Sequence, residues 1–172
     1  MSTDTGTAVA AGVYEINAAD SHVRFRTSHS FGVGPVAGTF AMRDGTITVA
    51  ADPRASTVTA RVDAASFTTD KPKRDADVRS KRFLNADEHP ELVFTSDRLV
   101  RDGDRWLLHG RLTVRGRTAP IVLELDSGTS DVAGCRFRAH ARVDRYAFRV
   151  GLRGIAARYT DVEFDIVGSR VG

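Results

Sequence analysis

With 172 residues, 41% of them hydrophobic and 27% charged, the chain is long enough to bury one sizeable core, and its composition excludes global disorder. The formal charge of +3 and the pI of 9.4 are too mild to argue for a nucleic-acid partner. No run approaches the ~18 consecutive apolar residues of a membrane-spanning helix, and the opening Met1-Ser2-Thr3-Asp4-Thr5-Gly6-Thr7 has no basic n-region or apolar core, so a cytoplasmic protein without a signal peptide is expected.

Residues 1–12 are small and polar without periodicity, and are expected as a flexible tail before a single domain over 13–172. Strands are predicted at Val13–Asn17, His22–Ser28, Val36–Arg43, Gly45–Ala50 and Thr57–Ala64. Asp44-Gly45 reads as a hairpin turn and Asp52-Pro53 as the next turn. From Thr68 to Pro90 the alternation stops, and a short helix with a long loop is expected near residues 70–83. Asp70 would cap it, Pro72 would sit in its first turn, and Val78 and Phe83 would face inward. Strands resume at Leu92–Leu99, Trp106–Val114, Pro120–Asp126, Arg136–Arg145 and Val162–Val167, with turns at Asp102-Gly103 and Arg115-Gly116.

The strands share a period of two. In Phe137-Arg138-Ala139-His140-Ala141-Arg142-Val143-Asp144 every second side chain is apolar, so each strand has one oily face and one wetted face. Many such strands make a sandwich or a closed barrel, and a small barrel holds either its own side chains or one apolar ligand. Phe25, Phe40, Met42, Val62, Phe94, Trp106, Leu108, Leu112, Ile121, Leu123, Phe137, Val143, Phe148 and Phe164 are the candidate inward residues.

Catalytic motifs do not emerge. The chain has no G-x-S-x-G elbow, no phosphate loop, no G-x-G-x-x-G and no H-E-x-x-H. Cys135 is the only cysteine, which rules out an intrachain disulfide, and a lone thiol within a strand reads as a small packed residue. His22, His29, His89, His109 and His140 have no ligand spacing, so no metal is expected. Asp75 and Asp77 flank the start of the helix, where capping or an arginine pair competes with an acid/base role. Lys71, Lys73, Arg74, Arg79, Lys81 and Arg82 form a basic cluster without interleaved aromatics, which reads as a solvated helix face rather than a nucleic-acid site. Of the 25 basic residues only Lys71, Lys73 and Lys81 are lysines.

Several blocks, in order, carry a resemblance. They are Tyr14-Glu15-Ile16-Asn17 followed by Ser21, Phe25 and His29; Gly38-Thr39-Phe40; Ala65-Ser66-Phe67-Thr68-Thr69 with Arg74-Asp75, Arg79-Ser80, Phe83, His89-Pro90 and Phe94-Thr95-Ser96; Gly110-Arg111-Leu112-Thr113-Val114-Arg115-Gly116-Arg117-Thr118-Ala119-Pro120; and Asp144-Arg145-Tyr146-Ala147-Phe148. Together, from Tyr14 to Gly168, the chain resembles the YceI-like family of bacterial polyisoprenoid-binding proteins with a lipocalin-like barrel. It departs from the family at Asn17 (usually Asp), at Asp20 (usually His), at Asp77 (His within an R-D-x-H-L-R-S run) and at Arg149, where Gly often follows the Phe of an R-x-x-F step. Many members are secreted or periplasmic.

The resemblance implies an all-β fold, a single closed antiparallel lipocalin-like barrel of about eight strands with the helix/loop insert near residues 70–83. It implies a binder of a long isoprenoid-type lipid, a polyprenyl phosphate or phenol or an isoprenoid quinone, serving transport, storage or stress protection, with no catalytic residue, cofactor or metal. Phe25, Phe40, Met42, Val62, Phe94, Trp106, Leu108, Leu112, Leu123, Phe137, Phe148 and Phe164 would then line the lumen, and His29, Arg74, Asp75 and Arg79 would meet the head group at the mouth. It leaves room for peripheral membrane contact and for a homodimer, and provides no nucleic-acid partner. The alternatives are an enzyme acting on a lipid-like substrate through His29, Asp75 or Asp77, and a ligand-free barrel used as an interaction module.

Overall fold

Alternating side chains build nine strands among the residues that the computed structural model describes, which are 9–27, 36–69, 71–150 and 158–171. In chain order they are β1 (Gly12–Ile16), β2 (His22–Thr27), β3 (Val36–Val49), β4 (Thr57–Thr68), β5 (Glu91–Asp102), β6 (Arg105–Val114), β7 (Arg117–Ser130), β8 (Gly134–Asp144) and β9 (Tyr159–Val171). One helix, α1 (Pro72–Arg79), lies between β4 and β5.

The sheet is antiparallel and closes on itself. Its order β3-β2-β9-β8-β7-β6-β5-β4 returns to β3 through the β3–β4 pairing, so eight strands form a barrel with no free edge between them. The ninth, β1, shares the place of β2. It pairs with the Thr46–Val49 end of β3 and the Gly168–Val171 end of β9, while β2 pairs with their other halves. Closure puts every second side chain inside, and the inward residues fall into three apolar clusters rather than one. One gathers at the β1 end around Tyr14, Ile16 and Val49, one under α1 around Phe67, Val78 and Phe148, and one on the wall made by β6, β7 and β8.

Three expectations are corrected. The strands expected at Val36–Arg43 and Gly45–Ala50 are a single strand, and Asp44-Gly45 is not a hairpin. The register with β4 slips between Met42 and Asp44, so the pair marks a bulge, and Asp44 faces outward to bind Arg61 on β4. Gly45 answers a close approach instead of a turn. A Cβ there would lie 2.6 Å from the Thr59 carbonyl oxygen and 2.6 Å from Ile16 Cδ1. The turn at Arg115-Gly116 is as expected, with both residues left-handed at φ 54° and 73°.

Second, the tail expected over 1–12 does not extend that far. Val9 is buried, the Ala10 amide donates to Ser130 Oγ at 2.8 Å, Tyr14 Oη donates to the Ala10 carbonyl at 2.7 Å, and Gly12 begins β1. Residues 1–8 lie outside the described residues. Third, Trp106 is buried but packs among Leu99, Leu108 and Ile121, beside the lumen and not on its wall.

Candidate functional site: an apolar lumen capped by a helix

The barrel encloses a cavity of about 310 Å³. Its wall is almost wholly apolar and comes from every strand of the closed barrel. Phe25, Phe40, Met42, Val62, Phe94, Leu108, Leu112, Leu123, Phe137, Phe148 and Phe164, eleven of the twelve residues expected in the lumen, lie on it. Phe25, Phe40 and Phe67 form an aromatic cluster near α1, with the Phe25 and Phe67 rings stacked at 4.8 Å and Phe40 tilted against both at 5.6 and 5.4 Å.

Polar groups on the wall are few and are placed unevenly. Ser56 lies at the β1 end, while Thr27, Arg74, Arg145 and Thr160 come from segments at the other end, near α1. Thr27 Oγ1 is buried with no hydrogen-bond partner among the described residues. Arg74 projects from α1 and donates from Nη2 to Thr69 Oγ1 at 3.1 Å. Arg145 opens the 3-10 turn after β8 and is buried, with Nη1 donating to the Val150 carbonyl at 2.7 Å and its guanidinium 4.9 Å from the Tyr146 ring centre. Burial pulls Arg145 below the usual arginine range, while Tyr146 and Asp144 hold it up. Arginine remains a cation throughout. Sequence reasoning did not pick Arg145 as a site residue. The available signal was its place at the head of the Arg145–Phe148 step, where a lone arginine precedes an inward phenylalanine.

The four residues expected at the mouth separate. His29 lies outside the described residues. Arg74 is on the cavity wall. Asp75 and Arg79 are not, and both fasten α1 to β4. Asp75 accepts hydrogen bonds from the Thr69 amide at 2.9 and 3.0 Å and from Thr69 Oγ1 at 2.6 Å. Arg79 donates from Nε to the Phe67 carbonyl at 3.0 Å and from Nη2 at 2.5 Å. Burial works to raise the Asp75 carboxyl, but the hydrogen bonds from Thr69 and Thr68 and the charge of Arg79 outweigh it and leave it below the usual range. Asp77, the other carboxylate weighed for catalysis, is exposed on α1.

Outside the barrel, Glu124, Asp126 and His140 bring one ligand atom each within 4.8 Å of one another. Spacing along the chain hides this group, because it forms across the β7–β8 ladder where Glu124 faces His140. Here it is an ion-pair array: His140 Nδ1 lies 2.9 Å from Asp126, and Glu124 takes Arg105 at 2.9 Å. The Cys135 thiol is buried in the β1-end cluster, and burial pushes it up to about 11. Among the described residues no helix is long and apolar enough to cross a membrane.

A YceI-like domain matches residues 14–168. The protein named Protein YceI from Shigella flexneri is 33% identical over 172 residues, covering 95% of this chain and 89% of its own length. That of Salmonella arizonae is 38% identical over 123 residues, covering 70% of this chain and 63% of its own. Among solved structures, BcnA of Burkholderia cenocepacia has a TM-score of 0.76 at 20% identity, over 88% of this chain and 98% of that one. A polyisoprenoid binding domain from Saccharophagus degradans, implicated in plant cell wall breakdown, has a TM-score of 0.66 at 13% identity, over 94% of this chain and all of that one (100%). Both structures share the overall fold, and the domain match and the sequence identity span most of the chain: it belongs to the YceI-like domain family.

Proposed function

We propose that the barrel binds one long isoprenoid-type chain in its lumen, as a polyprenyl phosphate or phenol or an isoprenoid quinone, for transport, storage or protection of that lipid. The observation that carries this reading is the cavity inside the barrel, whose wall is apolar apart from Ser56 at the β1 end and the polar groups near α1. Burying a CH₂ is worth roughly 0.8 kcal/mol, so each five-carbon unit contributes about 3–4 kcal/mol gross, and affinity needs few polar contacts. Ordering the chain and desolvating its head offset much of this. The tail would lie along Phe94, Leu108, Leu123 and Phe164, and the head would meet Arg74, Arg145 and the hydroxyl of Thr27. The name of the Saccharophagus degradans neighbour supports the same class of ligand.

Binding rather than catalysis is the reading the side chains support. Asp75 is committed to Thr69, and Asp77 points no acid or base into the cavity wall. The test is displacement of a fluorescent apolar probe by polyprenyl alcohols of increasing length. Affinity should rise with each isoprene unit and then level off when the lumen is full. A probe that never binds, or affinity independent of chain length, would contradict it.

A further inference from the structure

The cap of the barrel carries a concentrated positive charge on the outside of the segments whose inner sides line the lumen. Val78, Phe83 and Leu84 of α1 and its following turns, Val114 at the end of β6, and Phe148 and Val150 after β8 all contribute to the cavity wall. The outer side of these segments presents Lys71, Lys73, Lys81, Arg82, Arg117 and Arg149, all exposed. One side chain stitches the patch together. Arg115, half-buried in the β6–β7 turn, donates from Nη1 to the Arg149 carbonyl at 2.7 Å and from Nη2 to the Lys81 carbonyl at 2.7 Å.

Much of the barrel wall is organised differently, although Arg24 and Arg26 on β2 likewise show no ion pair with a carboxylate among the described residues. Arg136 pairs with Asp165 at 2.7 Å, Arg105 with Glu124 at 2.9 Å, Arg142 with Asp161 at 3.0 Å and Arg61 with Asp44, so these arginines are neutralised across the strands. The six exposed cap cations form no ion pair with a carboxylate among the described residues. Asp77, Asp87 and Glu88 are the exposed acids of the same cap and are outnumbered. The three lysines of the chain, Lys71, Lys73 and Lys81, all lie there. Arg149 adds a second sign. It holds a left-handed backbone at φ 53°, a conformation that favours glycine, and still presents a long cation to solvent.

We propose that this cap is a docking face for an anionic lipid bilayer, which sets the α1 end of the lumen against the membrane that supplies or receives its ligand. Charge complementarity selects the occupant. Unpaired cations within a Debye length of an anionic surface are attracted to it, and each contributes roughly fivefold to partitioning. Among the described residues the exposed large apolar side chains are Val13, Val122, Val132, Tyr159 and Val171; only Tyr159, under the guanidinium groups of Arg142 and Arg158, lies at this end, so the attraction argued from these residues is electrostatic. The proposal rests on the carrier reading for its purpose, but not for its measurement.

The test is co-flotation of the full chain with phosphatidylglycerol-containing vesicles and with pure phosphatidylcholine vesicles, alongside uptake of a fluorescent apolar probe from detergent micelles. Expected is binding to the anionic vesicles only, lost at about 1 M salt where the Debye length falls to roughly 3 Å. The triple variant K73E/K81E/R82E should lose more than ~100-fold in vesicle partitioning with probe uptake from micelles unchanged. Reversal of Arg24 and Arg26 on the outer wall of β2 should leave flotation intact. R149G, which relaxes a left-handed position, should melt no lower than the parent yet bind vesicles roughly fivefold more weakly, which separates lost charge from lost fold. Failure of the parent to float with anionic vesicles at low salt, equal loss from the β2 variant, or equal binding to a short DNA duplex would overturn the proposal. Flotation without probe uptake would uphold the docking face and contradict the carrier reading.

Discussion

The carboxylate of Asp75, on α1, takes both the amide and the hydroxyl of Thr69, the residue after β4, at 2.9 and 2.6 Å. This contact holds the cap over the lumen. Replacing Asp75 by Ala strands a Thr69 N–H, at a cost of about 1–3 kcal/mol measured by urea unfolding. The Asp75 carboxyl is held below its ordinary value, so the stability it contributes is present above the unfolded value of about 3.9 and is lost as pH falls through the lower folded value. The parent should therefore lose stability at acid pH more steeply than D75A. Parallel curves would refute this role.

The lumen can be tested by filling it. Ala139 is buried on the cavity wall. In a packed core Ala139→Phe would cost about 1–3 kcal/mol through overpacking. In an open lumen the added ring occupies empty space, so the melting temperature of the ligand-free protein should hold while probe affinity falls at least ~10-fold, a loss of about 1.4 kcal/mol. Strong destabilisation with unchanged probe binding would mean that no ligand space exists at Ala139.

Arg145→Met keeps an unbranched apolar stem and removes the buried charge. If Arg145 meets the head group, affinity for a polyprenyl phosphate should fall by ~10-fold or more, as expected for a hydrogen bond to a charged group, while affinity for the matching polyprenyl alcohol changes little. Equal loss for both ligands, seen by calorimetry, would assign Arg145 to packing alone.

Much of the barrel was legible because alternation is a local signal: the strands from β5 to β9 were located by their period, though each runs longer than its alternating core. The Asp44-Gly45 pair misled because a bulge and a hairpin use the same residues, and only the pairing of Asp44 with Arg61 on another strand distinguishes them. Asp75 and Arg79 are expected from the sequence at the head-group mouth, whereas their bonds to Thr69 and Phe67 place them off the cavity wall as anchors of α1. The Glu124–His140 pairing depends on the β7–β8 register, and the place of Arg145 on how the turn after β8 folds back to the Val150 carbonyl, neither of which alternation encodes. Trp106 alternates like its neighbours, yet it is buried in the cluster of Leu99 and Ile121 off the cavity wall, with the Arg101 guanidinium 5.7 Å from the ring.

His140 supplies a pH-dependent contact on the outer wall. Its hydrogen bond with Asp126 raises its pKa above 6.5, against a smaller effect of burial. A raised folded value means that the stabilisation is complete below the unfolded value and is lost as pH rises through the folded one. The side chain is half-exposed, so the effect should be about 0.2–1 kcal/mol. It should vanish in His140→Gln, with the shift itself read by NMR titration of the imidazole. An imidazole titrating below 6.5 would contradict the pairing.

Cys135 should behave as core. With its thiol pushed up to about 11 by burial, it should react with Ellman's reagent at about pH 8 only as fast as the barrel unfolds, and quickly in denaturant. Rapid labelling of the native protein would show that the β1 end is open.

The most direct test of the central claim is native mass spectrometry of the purified protein, followed by organic extraction of whatever remains bound. Expected is a one-to-one complex whose extract shows masses spaced by isoprene units and identifies the head group. A protein that emerges empty and stays empty after incubation with polyprenyl phosphates and isoprenoid quinones would contradict it.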